Sequence, residues 1–254
     1  MTRPAQGPDS ELPVMSGLHL QEGLDRRPGS PTAAQPYEPG EPSLNMALVR
    51  WDTHRFPLRI WISEGKKLPD VPFEVLQQDR VPRVVQLLKD PRALDELPTA
   101  TSWKPDMNDA VANGFEQWRE LAKEGVISFG FVDNPAQADI MVFFVDNFPG
   151  AAGPGGTDVH ANTCGQVFTA AQVQQKAVLG QPTVPIVIEF KAQEEFARLQ
   201  ADAAHEFGHA LGIKAHSPYR DDIMYVNRIV DSISPADKAT LRALYRHTPQ
   251  FWYY

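Results

Sequence analysis

An α/β fold is predicted by three observations. The chain alternates β-rich runs with amphipathic stretches, one of those runs is almost wholly apolar, and two long segments carry apolar residues at helical spacing. The stretch 56–63, FPLRIWIS, alternates apolar and polar residues and reads as a strand. Residues 70–100 are punctuated by proline and hold one short helix, about Arg83 to Leu88. After Pro105 the residues Met107, Ala110, Val111, Gly114, Phe115, Trp118 and Leu121 recur at helical spacing. Pro105 suits the first turn of that helix and Gly125 its end.

Two strands follow, 126–132 and 138–145, joined by DNPAQ. The second, ADIMVFFV, is expected at the centre of the sheet with both faces covered. A glycine-rich loop occupies 149–165. It is not a phosphate loop, because no Gly-Lys-Ser/Thr follows and no helix opens behind it. Two more strands are expected, GQVFTA (165–170) and VPIVIEF (184–190). A second long helix runs from about Gln193 to Leu211, with Gly212 at its C-terminal end. The last helix starts at SPAD, where Ser234 caps, Pro235 takes the first position and Asp237 reaches back. The aromatic end, FWYY, is expected to pack on the domain rather than serve as a partner-binding tail.

Composition sets the outer limits. Residues 1–45 are rich in Pro, Gly, Ser, Gln and Glu, and read as a disordered tail or a pro-segment, with the folded domain over 46–254. The net charge of −8 and the lack of a basic stripe argue against nucleic acid. The single cysteine, Cys164, permits no internal disulfide and reads as a small strand residue, a reactive or inhibitory thiol being the sharper alternative. No apolar run is long enough to span a membrane. The N-terminus shows no signal-peptide pattern, which on its own reads as cytoplasmic. A monomer is expected.

The chemistry lies in HEFGH, 205–209. Two histidines four residues apart share one helical face, so both imidazoles can reach one ion. Zinc accepts neutral nitrogen donors and leaves room for a water whose pKa falls toward about 7. Glu206, next to the first ligand, can take that water's proton. The plainer reading is a polar surface helix, but Phe207, Ala210 and Leu211 suit a helix buried at a cleft floor. Gly212 lies where the helix must end and the chain turn, and His216 can then return as a third ligand. For His216 the plainer reading is a loop histidine, with Asp221 and Asp222 the nearest substitutes.

HEFGHALGIKAH resembles the metzincin pattern H-E-x-x-H-x-x-G-x-x-H, and within that clan the matrixins and their bacterial relatives. It departs by one residue, since Ile213, Lys214 and Ala215 separate Gly212 from His216. Ser217 follows as in the matrixin His-Ser pair. Met224, in DDIMY, looks like the methionine turn, although Val226 stands where the family commonly has proline. ISPADKATLRALY (233–245) resembles the matrixin C-terminal helix, with Asp237 matching an aspartate that supports the turn. The resemblance is close over 205–245 and loose back to about residue 50. It implies a metzincin-like catalytic domain, with a twisted mixed five-stranded sheet, the active-site helix below it and a C-terminal helix. It also implies one catalytic zinc on His205, His209 and His216, with Glu206 as base and an extended polypeptide substrate paired with an edge strand, for which GQVFTA is the candidate.

Ser217, Tyr219 and Tyr225 would line the substrate pocket. The matrixin structural-zinc pattern is not recognisable, so Asp158 and His160 read as solvated loop residues, and neither a second zinc nor calcium is expected. The cysteine-switch motif is missing. Family relatives are mostly exported, against the cytoplasmic reading of the N-terminus. Two rival functions stay open, a zinc-binding scaffold without turnover and a zinc hydrolase of a small amide.

Overall fold

The computed structural model describes residues 35–150, 159–227 and 229–254. The strands are β1 (Val49–Trp51), β2 (Leu58–Ile62), β3 (Phe129–Phe131), β4 (Ile140–Val145), β5 (Ala161–Cys164), β6 (Ile186–Lys191) and β7 (Phe251–Tyr253). The α-helices are α1 (Leu76–Leu87), α2 (Pro91–Asp95), α3 (Asp106–Glu116), α4 (Arg119–Lys123), α5 (Ala170–Val178), α6 (Phe196–Ala210) and α7 (Pro235–Arg246). Five strands form one mixed sheet in the order β3-β2-β4-β6-β5, parallel except where β5 meets β6. A second, two-stranded sheet pairs β1 with β7, so the aromatic C-terminus is built into the fold.

Every residue of β4 and β6 is buried. Their side chains alternate between two cores. Ile140, Val142 and Phe144 join α3 and α6 on one face. Met141, Phe143 and Val145 join Leu76, Val81, Val84 and Leu94 of α1 and α2 on the other. β4 is covered on both faces and carries only apolar side chains, which is why the run IMVFFV reads as it does.

α3 and α6 approach closely because Gly114 has no side chain. A Cβ there would lie 2.3 Å from the Gln200 carbonyl oxygen and 2.6 Å from the Ala203 Cβ. Phe115 stacks on Phe207 at 4.4 Å between centroids, and the Trp118 indole donates to the Ala204 carbonyl at 2.9 Å. Gly114→Ala should therefore push α3 from α6 and lower stability by about 1–3 kcal/mol. A chemical-denaturation midpoint equal to that of the wild type would contradict so close an approach.

Several expectations are corrected. The tail does not run to residue 45. Tyr37 is buried, its hydroxyl donates to Asp237 (2.7 Å), and the Pro39 carbonyl accepts from Lys214 N–H (2.8 Å). GQVFTA is not a strand. Thr169 caps α5 in a capping box with Gln172, and Phe168 keeps only an isolated bridge to Trp252. The edge strand is instead Ala161–Cys164, inside the stretch read as loop. The short helix at 83–88 extends back to Leu76 through Pro82. Proline removes one backbone hydrogen bond, and the buried Leu76, Val81 and Val84, with the Arg80–Glu189 ion pair (2.7 Å), hold the helix across that loss. The helix after Pro105 breaks at Gln117–Trp118 before resuming as α4. Asp158 lies outside the described residues. His160 meets Glu194 rather than standing in solvent.

Candidate metal centre

α6 carries His205, Glu206 and His209, and its helical spacing sets the two imidazoles 4.7 Å apart between ring centroids. The helix closes when Gly212 N–H donates to the His209 carbonyl and Ile213 N–H to that of Gly208, both at 3.0 Å. Gly212 has φ +113, and a Cβ on it would meet the Val49 oxygen at 2.3 Å. Glycine is required there twice over, by conformation and by space. The chain then returns. Lys214 and Ala215 N–H both point to the Pro39 carbonyl (2.8 and 3.4 Å), and His216 arrives 5.3 Å from His205 and 5.0 Å from His209. One ligand nitrogen from each ring lies within 4.8 Å of the other two. The extra residue in the motif therefore leaves His216 within reach of its partners.

Nδ1 of His205 is 2.7 Å from the Ile223 carbonyl, and Nδ1 of His209 is 2.6 Å from that of Ile213. A carbonyl only accepts, so each Nδ1 carries a hydrogen, and Nε2 is the nitrogen that the neutral ring offers to an ion. Burial holds the His209 pKa well below its ordinary value, with the neighbouring His205 and His216 adding to the effect. His216 keeps an exposed edge, yet the atoms crowded around its ring, and then the Lys214 ammonium, lower its pKa to about 4. Both rings are neutral at neutral pH, as metal ligands must be. Three imidazoles converging from one side fit zinc with an open fourth position.

Glu206 is buried, and its Oε2 accepts from the Thr163 hydroxyl of β5 at 2.5 Å. That contact escaped the sequence, because Thr163 sits in a stretch with no strand periodicity. Beneath the histidines, Met224 packs against Gly208, where a Cβ would fall 2.4 Å from its sulfur. The single glycine of HEFGH, Gly208, thus leaves the space that the methionine fills. Asp237, fully buried, accepts from the N–H of Ile223 (2.9 Å), Met224 (3.5 Å) and Ser234 (2.7 Å).

The residues expected to line the substrate pocket, Ser217, Tyr219 and Tyr225, follow His216 into the methionine turn. Ser217 donates its hydroxyl to Asp222 and its N–H to the Met224 carbonyl (2.8 Å), so it serves the methionine turn. Tyr225 is buried and bridged to Ser217. Neither it nor Tyr219 borders the cleft of about 250 Å³ around the imidazoles. The walls are Ala161, Asn162 and Thr163 of β5, Gln77 of α1, Lys214 and Glu41. Gln77 donates to the Thr163 carbonyl at 3.0 Å.

The matrixin family model matches residues 96–246, more than half of the chain. The chain belongs to the matrixin family. Matrixins are metzincin-clan zinc metalloproteases, and the matched span of this one contains all three histidines, Glu206 and the methionine turn. No curated protein matches it. Two wall residues of the matrixin's cleft, Glu41 and Gln77, come from outside the matched span. Among the described residues, no helix is long and apolar enough to cross a membrane.

Proposed function

We propose that this matrixin is a zinc-dependent endopeptidase, with His205, His209 and His216 holding the ion and Glu206 as general base. The observation that carries the reading is the convergence of three imidazoles, two locked by carbonyls at Nδ1, beside a buried carboxylate in one cleft. Bound zinc would supply a Lewis acid and an acidified water. The Glu206 carboxylate takes up a proton from water and passes it to the leaving amine. The Thr163 hydroxyl, donating to Oε2, fixes the rotamer in which it does so. Met224 and Gly208 form an apolar floor that keeps α6 and the turn in register.

The substrate pairs with β5, not with GQVFTA. Lys191 N–H donates to the His160 carbonyl, so alternate residues, Asn162 and Cys164, face β6. Ala161 and Thr163 then turn their backbone groups to the outer edge. A peptide pairing there meets groups that demand no particular side chain, which suits cleavage of internal bonds.

The full chain, purified without chelator, should carry about one zinc and cleave a quenched peptide library. A chelator should abolish cleavage, and added zinc should restore it. Failure to take up zinc, or cleavage indifferent to the chelator, would overturn the reading. Zinc uptake with no cleavage of any peptide would move it to a scaffold or a small-amide hydrolase.

A further inference from the structure

The residues that lengthen the motif between Gly212 and His216 include Lys214, which lines the metal cleft. Its side chain is only 16% exposed. Among the described residues that line the cleft, it is the only lysine or arginine. A mostly buried ammonium is costly unless it is well paired. Its nearest carboxylate, Glu41, stands 3.6 Å away, beyond the 2.7–2.9 Å of a strong charge-assisted bond. The Tyr253 phenol also lies beside it.

The Lys214 backbone N–H ties the turn to Pro39 at 2.8 Å, and the side chain adds its ion pair with Glu41. Glu41 arrives from a segment outside the matched span, and its carboxylate lies in the cleft against the lysine. The resting state thus already presents a carboxylate to Lys214 from an independent stretch of chain. The chain is also acidic overall, at −8, so an anionic substrate needs a local cation to hold it.

We propose that Lys214 is a specificity-determining residue that receives a carboxylate of the polypeptide substrate, with Glu41 as the counter-ion that carboxylate displaces. The inference rests on the peptidase reading of the same cleft. Two sources share the chemistry, a C-terminal carboxylate and an acidic side chain. No bond is made or broken in this step. One ion pair is exchanged for another.

The test separates binding from turnover. Zinc-loaded full-length Glu206→Gln protein is titrated with dye-labelled random heptapeptide pools by fluorescence anisotropy. One pool ends in a free carboxylate, one in an amide, both without Asp or Glu. A third ends in an amide and contains one glutamate. At least one carboxylate pool should bind about tenfold tighter than the neutral pool, and which of them does so identifies the source. Adding Lys214→Met should erase the difference, Lys214→Arg should retain it, and Glu41→Gln should widen it. Zinc content, measured on each protein, separates loss of charge from loss of metal. If Lys214→Met does not fold, Glu41→Gln carries the test alone. Equal binding of all pools, or a preference unchanged by Lys214→Met, or by Glu41→Gln where that variant stands alone, overturns the proposal. Preference without cleavage of any pool by the wild type would instead sink the peptidase reading and leave the carboxylate site standing.

Discussion

Glu206→Ala should lower kcat by about two to four orders of magnitude and leave zinc at one ion per chain. A positioned general base contributes about 10²–10⁴-fold, or about 3–5 kcal/mol of barrier. The three imidazoles are oriented by carbonyls of Ile223 and Ile213 and by the turn at Pro39, none of which involves the Glu206 side chain. The Thr163 hydroxyl, losing Oε2, still has the Glu206 backbone carbonyl at 3.2 Å, so the fold should tolerate the change. Steady-state kinetics on the peptide library, with metal analysis of the same sample, read both halves of the expectation. Activity within a few-fold of the wild type would remove Glu206 from its role. Loss of zinc along with activity would make it a structural partner of the site.

Asp237→Ala should cost about 3–5 kcal/mol of stability and weaken zinc binding as well. Its carboxylate accepts from three backbone N–H groups and the Tyr37 hydroxyl, and removing it leaves those buried donors unmatched. The effect on zinc has a definite route. Asp237 holds the N–H of Ile223, and the carbonyl of that residue orients His205. A turn released at Ile223 no longer fixes the His205 ring, and loss of such an outer partner typically costs 10–100-fold in metal affinity. Denaturant unfolding of the metal-free chain and competition with a zinc chelator measure the two effects separately. Lowered stability with unchanged zinc affinity would show that the turn does not position His205.

The parts legible in the sequence are those whose cause is local. HEFGHALGIKAH names the helix, its end and the three histidines, because ligand spacing and the glycine turn are written within a dozen residues. SPAD marks the start of α7 because a capping box is complete within four residues. β4 announces itself because both its faces are covered. What stayed hidden depends on distant partners. β5 is polar along Asn162 and Thr163, and it becomes a strand by pairing with β6 while Thr163 meets Glu206. α1 continues through Pro82 because the buried Leu76, Val81 and Val84 and the Arg80–Glu189 contact hold it. Tyr37 and Glu41 sit in a proline-rich stretch, yet each finds its partner about 200 and 170 residues away in the fold, at Asp237 and Lys214.

The bond from Gln77 to the Thr163 carbonyl bears on how copies of this chain treat one another. β5 closes one side of the sheet, and a bare sheet edge templates strands from neighbouring molecules. At this edge a neighbour's strand would be positioned for cutting as well as for aggregation. Any visitor must first exchange its own N–H for the Gln77 amide. A strand already paired inside a folded sheet has no free N–H to offer in that exchange, whereas an extended segment does, so the cover discriminates by the state of the visitor rather than by its sequence.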